Sequence, residues 1–216
     1  MQRFLAGSFA PRRAVAEDRT LVEALRAGDE RAFEALVECY HGSLVRIAMI
    51  YVGNRAAAED VAQETWLAVF EGIERFEGRS SLKTWIFRIL TNRAKTRGER
   101  DRRQIPVSPV GDDDDPEVPL DRFLPADDPK RPWAWASPPR AWPEERLLRR
   151  ETVERLGAAI AELSPSQQAV IVLRDVEGFS AAEVAAALEI SAANERVLLH
   201  RARSHVRGAL ERYFDQ

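Results

Sequence analysis

The feature that most constrains this chain is the segment Leu163 to Tyr213, which packs two short helices and one long basic helix with almost no loop between them. Ser164-Pro165 sets a capping hydroxyl ahead of a proline at the first helical position. Gly178 ends that helix, and Ser180 with Glu183 three residues on forms a capping box for the next. Val184 and Leu188 share a face that can pack on Val170 and Leu173. Ser191 caps the last helix. Its apolar side is Leu199, Val206 and Leu210, while Arg196, His200, Arg201, Arg203 and Arg207 cover much of the rest. Caps, propensity and charge agree on a helix-turn-helix whose last helix suits a DNA major groove.

The net charge of -3 would argue against a nucleic-acid partner if the charge were evenly spread. It is not. From Arg75 to Arg103 ten cations face only Glu77, Glu99 and Asp101, with Phe76, Trp85 and Phe87 interleaved. Upstream, Glu23, Asp29, Glu30, Glu34, Glu38, Glu59, Asp60, Glu64, Glu71 and Glu74 meet few cations. Such asymmetry implies more than one kind of partner. Cys39 is the only cysteine, so disulfides and cysteine zinc clusters are excluded, and three histidines make no metal or cofactor site. The opening residues lack the apolar core of a signal peptide and no run is read as a membrane span, so the expected location is cytoplasmic with no membrane insertion.

Strand-like alternation is nearly absent, and the fold class is all-α. Two small helical domains are expected, joined by a long extended linker: a flexible extension over 1–17, a first domain over 18–104, a linker over 105–143 and a second domain over 144–216. In the first domain Phe33, Leu36, Val37, Tyr40, Leu44, Ile47 and Tyr51 form one apolar stripe, ended by Gly53-Asn54. The helix Ala56 to Phe70 buries Val61, Thr65 and Val69 and presents Asp60, Gln63 and Glu64 on its other side. A further helix, capped by Ser80 or Ser81, buries Leu82, Trp85, Ile86, Ile89 and Leu90, leaving Arg88, Asn92 and Lys95 as a polar stripe. Ten prolines and the acidic run Asp112 to Asp115 make 105–143 an extended tether. Its Phe123, Trp133, Trp135 and Trp142 lie in a partner's groove, fold back on the second domain, or decorate an inert spacer. The second domain opens with a helix carrying Leu147, Val153, Leu156 and Ile160.

The blocks AAAEDVAQETWLAVF, RFEGRSSLKTWIFRILTNRAKTR, LSPSQQAVIVLRDVEGFSAAEVAAAL and LLHRARSHVR together resemble bacterial sigma factors of the extracytoplasmic-function group. The resemblance implies a sigma-2-like and a sigma-4-like domain, a non-enzymatic role, and core RNA polymerase and promoter DNA as partners, with room for an anti-sigma factor. It assigns polymerase docking to Asp60, Gln63 and Glu64. Promoter opening at the −10 element falls to the loop Phe76 to Ser81, which would hold a flipped base through Phe76, Arg79, Ser80 and Ser81, and to Lys83, Arg88, Asn92, Arg93 and Lys95 along the strand. A basic surface interleaved with aromatic rings is what single-strand capture requires, though Trp85 lies on the apolar stripe and is read as core. Reading of the −35 element falls to Ser191, Asn194, Glu195, Arg196, His200, Arg201 and Arg203. Two departures stand out. Glu189 replaces the glycine usual between the reading helices, which costs about 1 kcal/mol in a left-handed cap or forces another turn. Ala193, Asn194, Glu195 and Arg196 replace a small residue, a β-branched pair and lysine. The alternative function is a helix-turn-helix regulator that is no polymerase subunit. An enzyme is disfavoured by the lack of a phosphate loop, nucleophile elbow or metal-spaced cluster.

Overall fold

A computed structural model describes residues 11–104 and 150–214, all helix and connecting turn with no strand among them. The tether and its acidic and aromatic residues, like Leu147, lie outside the described residues. Two compact units are present. The N-terminal unit comprises α1 (Pro11–Arg26), α2 (Glu30–Val52), α3 (Arg55–Gly72), a 3-10 turn (Ile73–Arg75) and α4 (Leu82–Gln104). The C-terminal unit comprises α5 (Arg150–Ala161), α6 (Pro165–Ile171) continued by a π turn (Val172–Val176), α7 (Ala181–Leu188), of which the residues up to Ala185 group with this unit, and α8 (Ala192–Phe214). Because α1 begins at Pro11, helix takes in the last seven residues of the stretch that sequence assigned to a flexible extension.

Local chemistry sets each boundary in the N-terminal unit. Asp29 caps α2 by accepting from the amides of Arg31 and Ala32, and Gly53 ends it at φ 71° with its amide on the Met49 carbonyl. Glycine pays no Cβ penalty in that left-handed position. Asn54 then caps α3 through the Ala57 amide at 2.8 Å. The two candidates for capping α4 resolve in favour of Ser81, whose Oγ accepts from the Thr84 amide at 3.1 Å. Leu36, Leu44, Ile47, Val61, Val69, Leu82, Ile86 and Leu90 form the core of α2, α3 and α4.

By length and composition alone α2 meets what a membrane-crossing helix needs, which sequence reading overlooked. In the structure Leu36, Leu44, Val45, Ile47, Ala48 and Val52 on this helix are all buried. Phe87 corrects a second expectation. It belongs to no exposed aromatic set: the ring is fully buried and meets Tyr40 edge-on at 6.2 Å.

One glycine fixes how closely α4 approaches α2. A Cβ placed on Gly98 would clash with the Tyr51 carbonyl oxygen, a backbone atom that cannot rotate away. Gly98→Ala is therefore expected to push the two helices apart and destabilise the N-terminal unit by about 1–3 kcal/mol, despite alanine's better helix propensity. Urea unfolding checks the sign: the propensity gain alone predicts a stabilised variant, the close approach a destabilised one.

In the C-terminal unit the predicted caps form. Ser164 and Gln167 make a reciprocal capping box, and Ser180 and Glu183 make another, with the Ser180 amide 2.9 Å from the Glu183 carboxylate. Gly178 turns the chain at φ 70°. Leu163, Ala169, Val170, Leu173, Phe179, Val184, Leu199 and Val206 are buried. Val153 and Leu156 on α5 are exposed instead; Thr152 and Ala159 face inward.

Candidate nucleic-acid interface

Burial of Val61, Thr65 and Val69 turns the opposite side of α3 outward, where Asp60, Gln63 and Glu64 are all exposed. The same side continues into Leu67 and Phe70, 63% and 65% exposed, which sequence reading assigned to no surface. The signal was there: Leu67 follows Asp60 by seven residues and Gln63 by four, and Phe70 follows Gln63 by seven. Carboxylates beside exposed apolar side chains suit a protein partner and repel a phosphate backbone.

The turn from the 3-10 segment into α4 carries the candidate base-capture residues. Gly78 takes φ 70°, and Arg79 and Ser80 are exposed, with Arg79 Nε donating to Glu77 at 2.6 Å. Phe76 is withdrawn from this surface. Its ring is 8% exposed and packs on Trp85 with centroids 5.1 Å apart. Trp85 is half-buried rather than core, and its ring covers Gly72, where a Cβ would lie 3.3 Å away. Lys83 is half-buried and Ser81 is occupied as the cap.

Beyond this turn, α3 and α4 enclose a groove of about 460 Å³ lined by Glu64, Ile89, Asn92, Arg93, Thr96, Arg97 and Arg100. It joins Asn92 and Arg93 to Arg97 and Arg100, which lay within the basic block but were given no role. Arg97 and Arg100 follow Arg93 at i+4 and i+7, the repeat of one helix face. Arg88 and Lys95 lie nearly half a turn around α4 from Arg93, so the expected strand-lining set divides over two sides of the helix. Arg93 Nη1 lies 3.3 Å from Glu64, a part-exposed pair worth at most about 1 kcal/mol.

The C-terminal unit presents its last helix as expected but orients it differently. Glu189 is the only non-glycine residue at positive φ among the described residues, at 57°. The Ile190 amide reaches back to the Ala185 carbonyl at 3.0 Å, the long bond of a left-handed helix cap. The missing glycine is thus tolerated rather than bypassed. Ser191 caps α8 through the Asn194 amide at 3.1 Å. Asn194, Arg196, Val197 and Arg201 are exposed near the start of α8. Val197 was overlooked, although it follows Asn194 by three residues.

Two expected reading residues are corrected. Glu195 is 1% exposed and lies 3.2 Å from Arg174, whose Nη1 also donates to the Phe179 carbonyl at 2.8 Å. Its place on the stripe with Leu199, Ala202 and Val206 turns it inward. This explains why a position usually β-branched holds glutamate here: the residue fills a core site and neutralises a half-buried arginine. Glu195→Ala should cost about 1–3 kcal/mol by stranding Arg174, with promoter preference unchanged. Urea unfolding beside a promoter-variant panel separates this from a reading role. Arg203, exposed as expected, is engaged by Asp175 of the π turn, with Nε 2.9 Å from the carboxylate.

His200 is the other correction, at 7% exposure. Burial, then the neighbouring Arg201, holds its imidazole below the ordinary histidine value. It is therefore neutral near pH 7 and supplies no cation to a phosphate. The folded state resists a proton that the unfolded chain accepts below about pH 6.5, so His200 lowers stability as pH falls through that value. Unfolding free energy should drop between pH 7.5 and 5.5 more in the parent chain than in His200→Asn. Equal drops contradict the assignment.

Two family models match, Sigma-70 region 2 over residues 36–104 and Sigma-70 region 4 over residues 153–206. ECF RNA polymerase sigma factor SigG of Mycobacterium tuberculosis is 37% identical over 190 residues, 84% of this chain and 48% of SigG. The chain thus spans about half the length of that relative. RNA polymerase sigma-H factor of Pseudomonas aeruginosa is 29% identical over 195 residues, covering 90% of this chain and 94% of its own.

The chain belongs to the extracytoplasmic-function sigma factors of the sigma-70 family.

The region 2 match takes in the acidic face of α3, the capture turn and the α4 groove, while α1 lies ahead of it. The region 4 match takes in the helix-turn-helix of this sigma factor. Among solved structures, CnrH in complex with the cytosolic domain of CnrY superposes with a TM-score of 0.56 at 22% identity, over 90% of this chain and 97% of that one. RpoE in complex with the anti-sigma factor NepR, from Bartonella quintana, gives 0.56 at 20% identity, over 83% and 96%. These likenesses concern the fold. No grouping of histidine, cysteine and carboxylate residues suited to a metal occurs among the described residues.

Proposed function

We propose that this sigma factor is a dissociable subunit of RNA polymerase that directs the enzyme to its promoters and opens them. One observation carries the reading: a single chain holds an acidic and apolar protein-docking face, a basic groove beside a capture turn, and a separate helix-turn-helix. A regulator that only binds duplex DNA has no use for the first two.

In this reading residues 18–104 form the domain that docks on core polymerase through Asp60, Gln63 and Glu64, with Leu67 and Phe70 as apolar anchors. Its capture turn receives one unstacked base of the −10 element near Arg79, Ser80 and the exposed part of Trp85. Asn92, Arg93, Arg97 and Arg100 then run along the phosphates, with Arg88 and Lys95 on the far side of α4 from Arg93. Residues 144–216 place α8 in the major groove at the −35 element, where Asn194, Arg196 and Arg201 supply hydrogen bonds and Val197 an apolar contact for a thymine methyl. Residues 105–143 tether the two. The work is that of a binding subunit with no catalytic residue of its own, performed in the cytoplasm where the polymerase acts. An anti-sigma factor is a further partner, by analogy with the RpoE complex with NepR.

A gel shift with a promoter fragment tests this. The shift should require core polymerase and this chain together. An equal shift with the chain alone identifies a self-sufficient DNA-binding regulator instead.

A further inference from the structure

The capture turn is held from outside by α1, a helix that the region 2 match does not include. The guanidinium of Arg26 gathers the carbonyls that end the 3-10 turn. Nη2 donates to the Phe76 carbonyl at 2.6 Å and to that of Glu74 at 3.4 Å, and Nε donates to that of Ile73 at 3.3 Å. Eight residues earlier on α1, Asp18 accepts the Leu82 amide at 2.9 Å. That amide opens α4, where a carboxylate both satisfies an orphan donor and complements the helix dipole. Two side chains of one helix thus fix both ends of the span between Phe76 and Leu82.

We infer that Asp18 and Arg26 are positioning residues that preorganise the capture turn and so set its selectivity for the captured base. The inference rests on the proposed role of the turn in taking up a single-stranded base. Three features support it. The bonds are charge-assisted and reach 47 to 64 residues along the chain, so nothing local to the turn replaces them. Gly78 lies inside the clasped span, at a conformation that leaves its backbone free to rearrange once the ends are released. The core beneath is held by Leu82, Ile86 and Leu90, whose burial does not depend on either charge. Loss of the clasp therefore frees the turn while the bundle stands, and the base must then pay to order it.

The test uses holoenzyme reconstituted from core polymerase and the full chain. The probe is a fluorescent single-stranded oligonucleotide of the −10 non-template strand, beside a set with an abasic site at each position in turn. In the parent holoenzyme one abasic position should weaken binding at least about tenfold, the loss of one stacked base. In Arg26→Ala and Asp18→Ala that penalty should shrink to about twofold or less, while affinity for the abasic strand and for core polymerase stays within about twofold of the parent. Asp18→Asn keeps an oxygen for the Leu82 amide and should retain the full penalty; Arg26→Lys, with fewer directed donors, should recover part of it. A full abasic penalty in both alanine variants overturns the inference while the capture reading stands. Loss of core binding in those variants also overturns it, since the clasp is then structural. No abasic penalty in the parent itself overturns both readings.

Discussion

Reversing Asp60 and Glu64 to lysine is expected to abolish capture of core polymerase while circular dichroism stays unchanged. Both carboxylates are exposed on α3 and lie away from the buried Val61, Thr65 and Val69, so the bundle loses no packing. Placing like charges in an electrostatically matched interface costs several kcal/mol, which here means roughly a thousandfold in affinity. Phe70→Ala should weaken the same capture by about tenfold or more, because its ring meets Phe33 edge-on at 5.9 Å yet leaves the side chain 65% exposed for a partner to cover. Glu64 also pairs with Arg93, and the reversed variant will repel that arginine. Asp60→Lys alone avoids this and should keep most of the effect. Unchanged pull-down in both variants would place the polymerase contact elsewhere.

The second large effect is expected in the α4 groove. Arg93→Ala, Arg97→Ala and Arg100→Ala combined remove three cations from one face and leave Ile86, Leu90 and Ala94 in the core. Binding of holoenzyme to the single-stranded −10 sequence should fall by roughly a hundredfold at physiological salt, with its salt slope reduced by about two units. Polymerase capture should stay near the parent value. A pre-melted bubble template should restore part of the initiation lost on duplex DNA, since the cost of opening is then removed. If the slope is unchanged, these arginines make no phosphate contacts and the groove serves another purpose.

Features governed by neighbouring residues were legible in the sequence. Ser164, Gly178, Ser180 with Glu183, Ser191 and the Gly53-Asn54 break each act within four residues, and each stands where the sequence placed it. Features set by the third dimension were harder. Charge dominates the stretch that holds Phe87 and masks its place on the buried stripe of Leu90 and Ala94. Glu195 and His200 are polar by type and yet buried, Glu195 standing four residues before Leu199 on the inward face of α8. Extending the apolar stripe backwards would have found it. The need for glycine at residue 98 and the clasp of Asp18 and Arg26 depend on contacts across 47 residues or more, for which periodicity carries no signal. The exposure of Asp60, Gln63 and Glu64 on α3 was legible in full, because one unbroken helix with a clear apolar side fixes both its faces.

Transcription from a supercoiled promoter, with permanganate footprinting of thymines around the −10 element, tests the central claim most directly. Core polymerase and this chain together should yield a discrete transcript and reactive thymines, and neither component alone should yield either. Promoter occupancy by the chain alone, with initiation by the polymerase unchanged on adding it, would contradict the account.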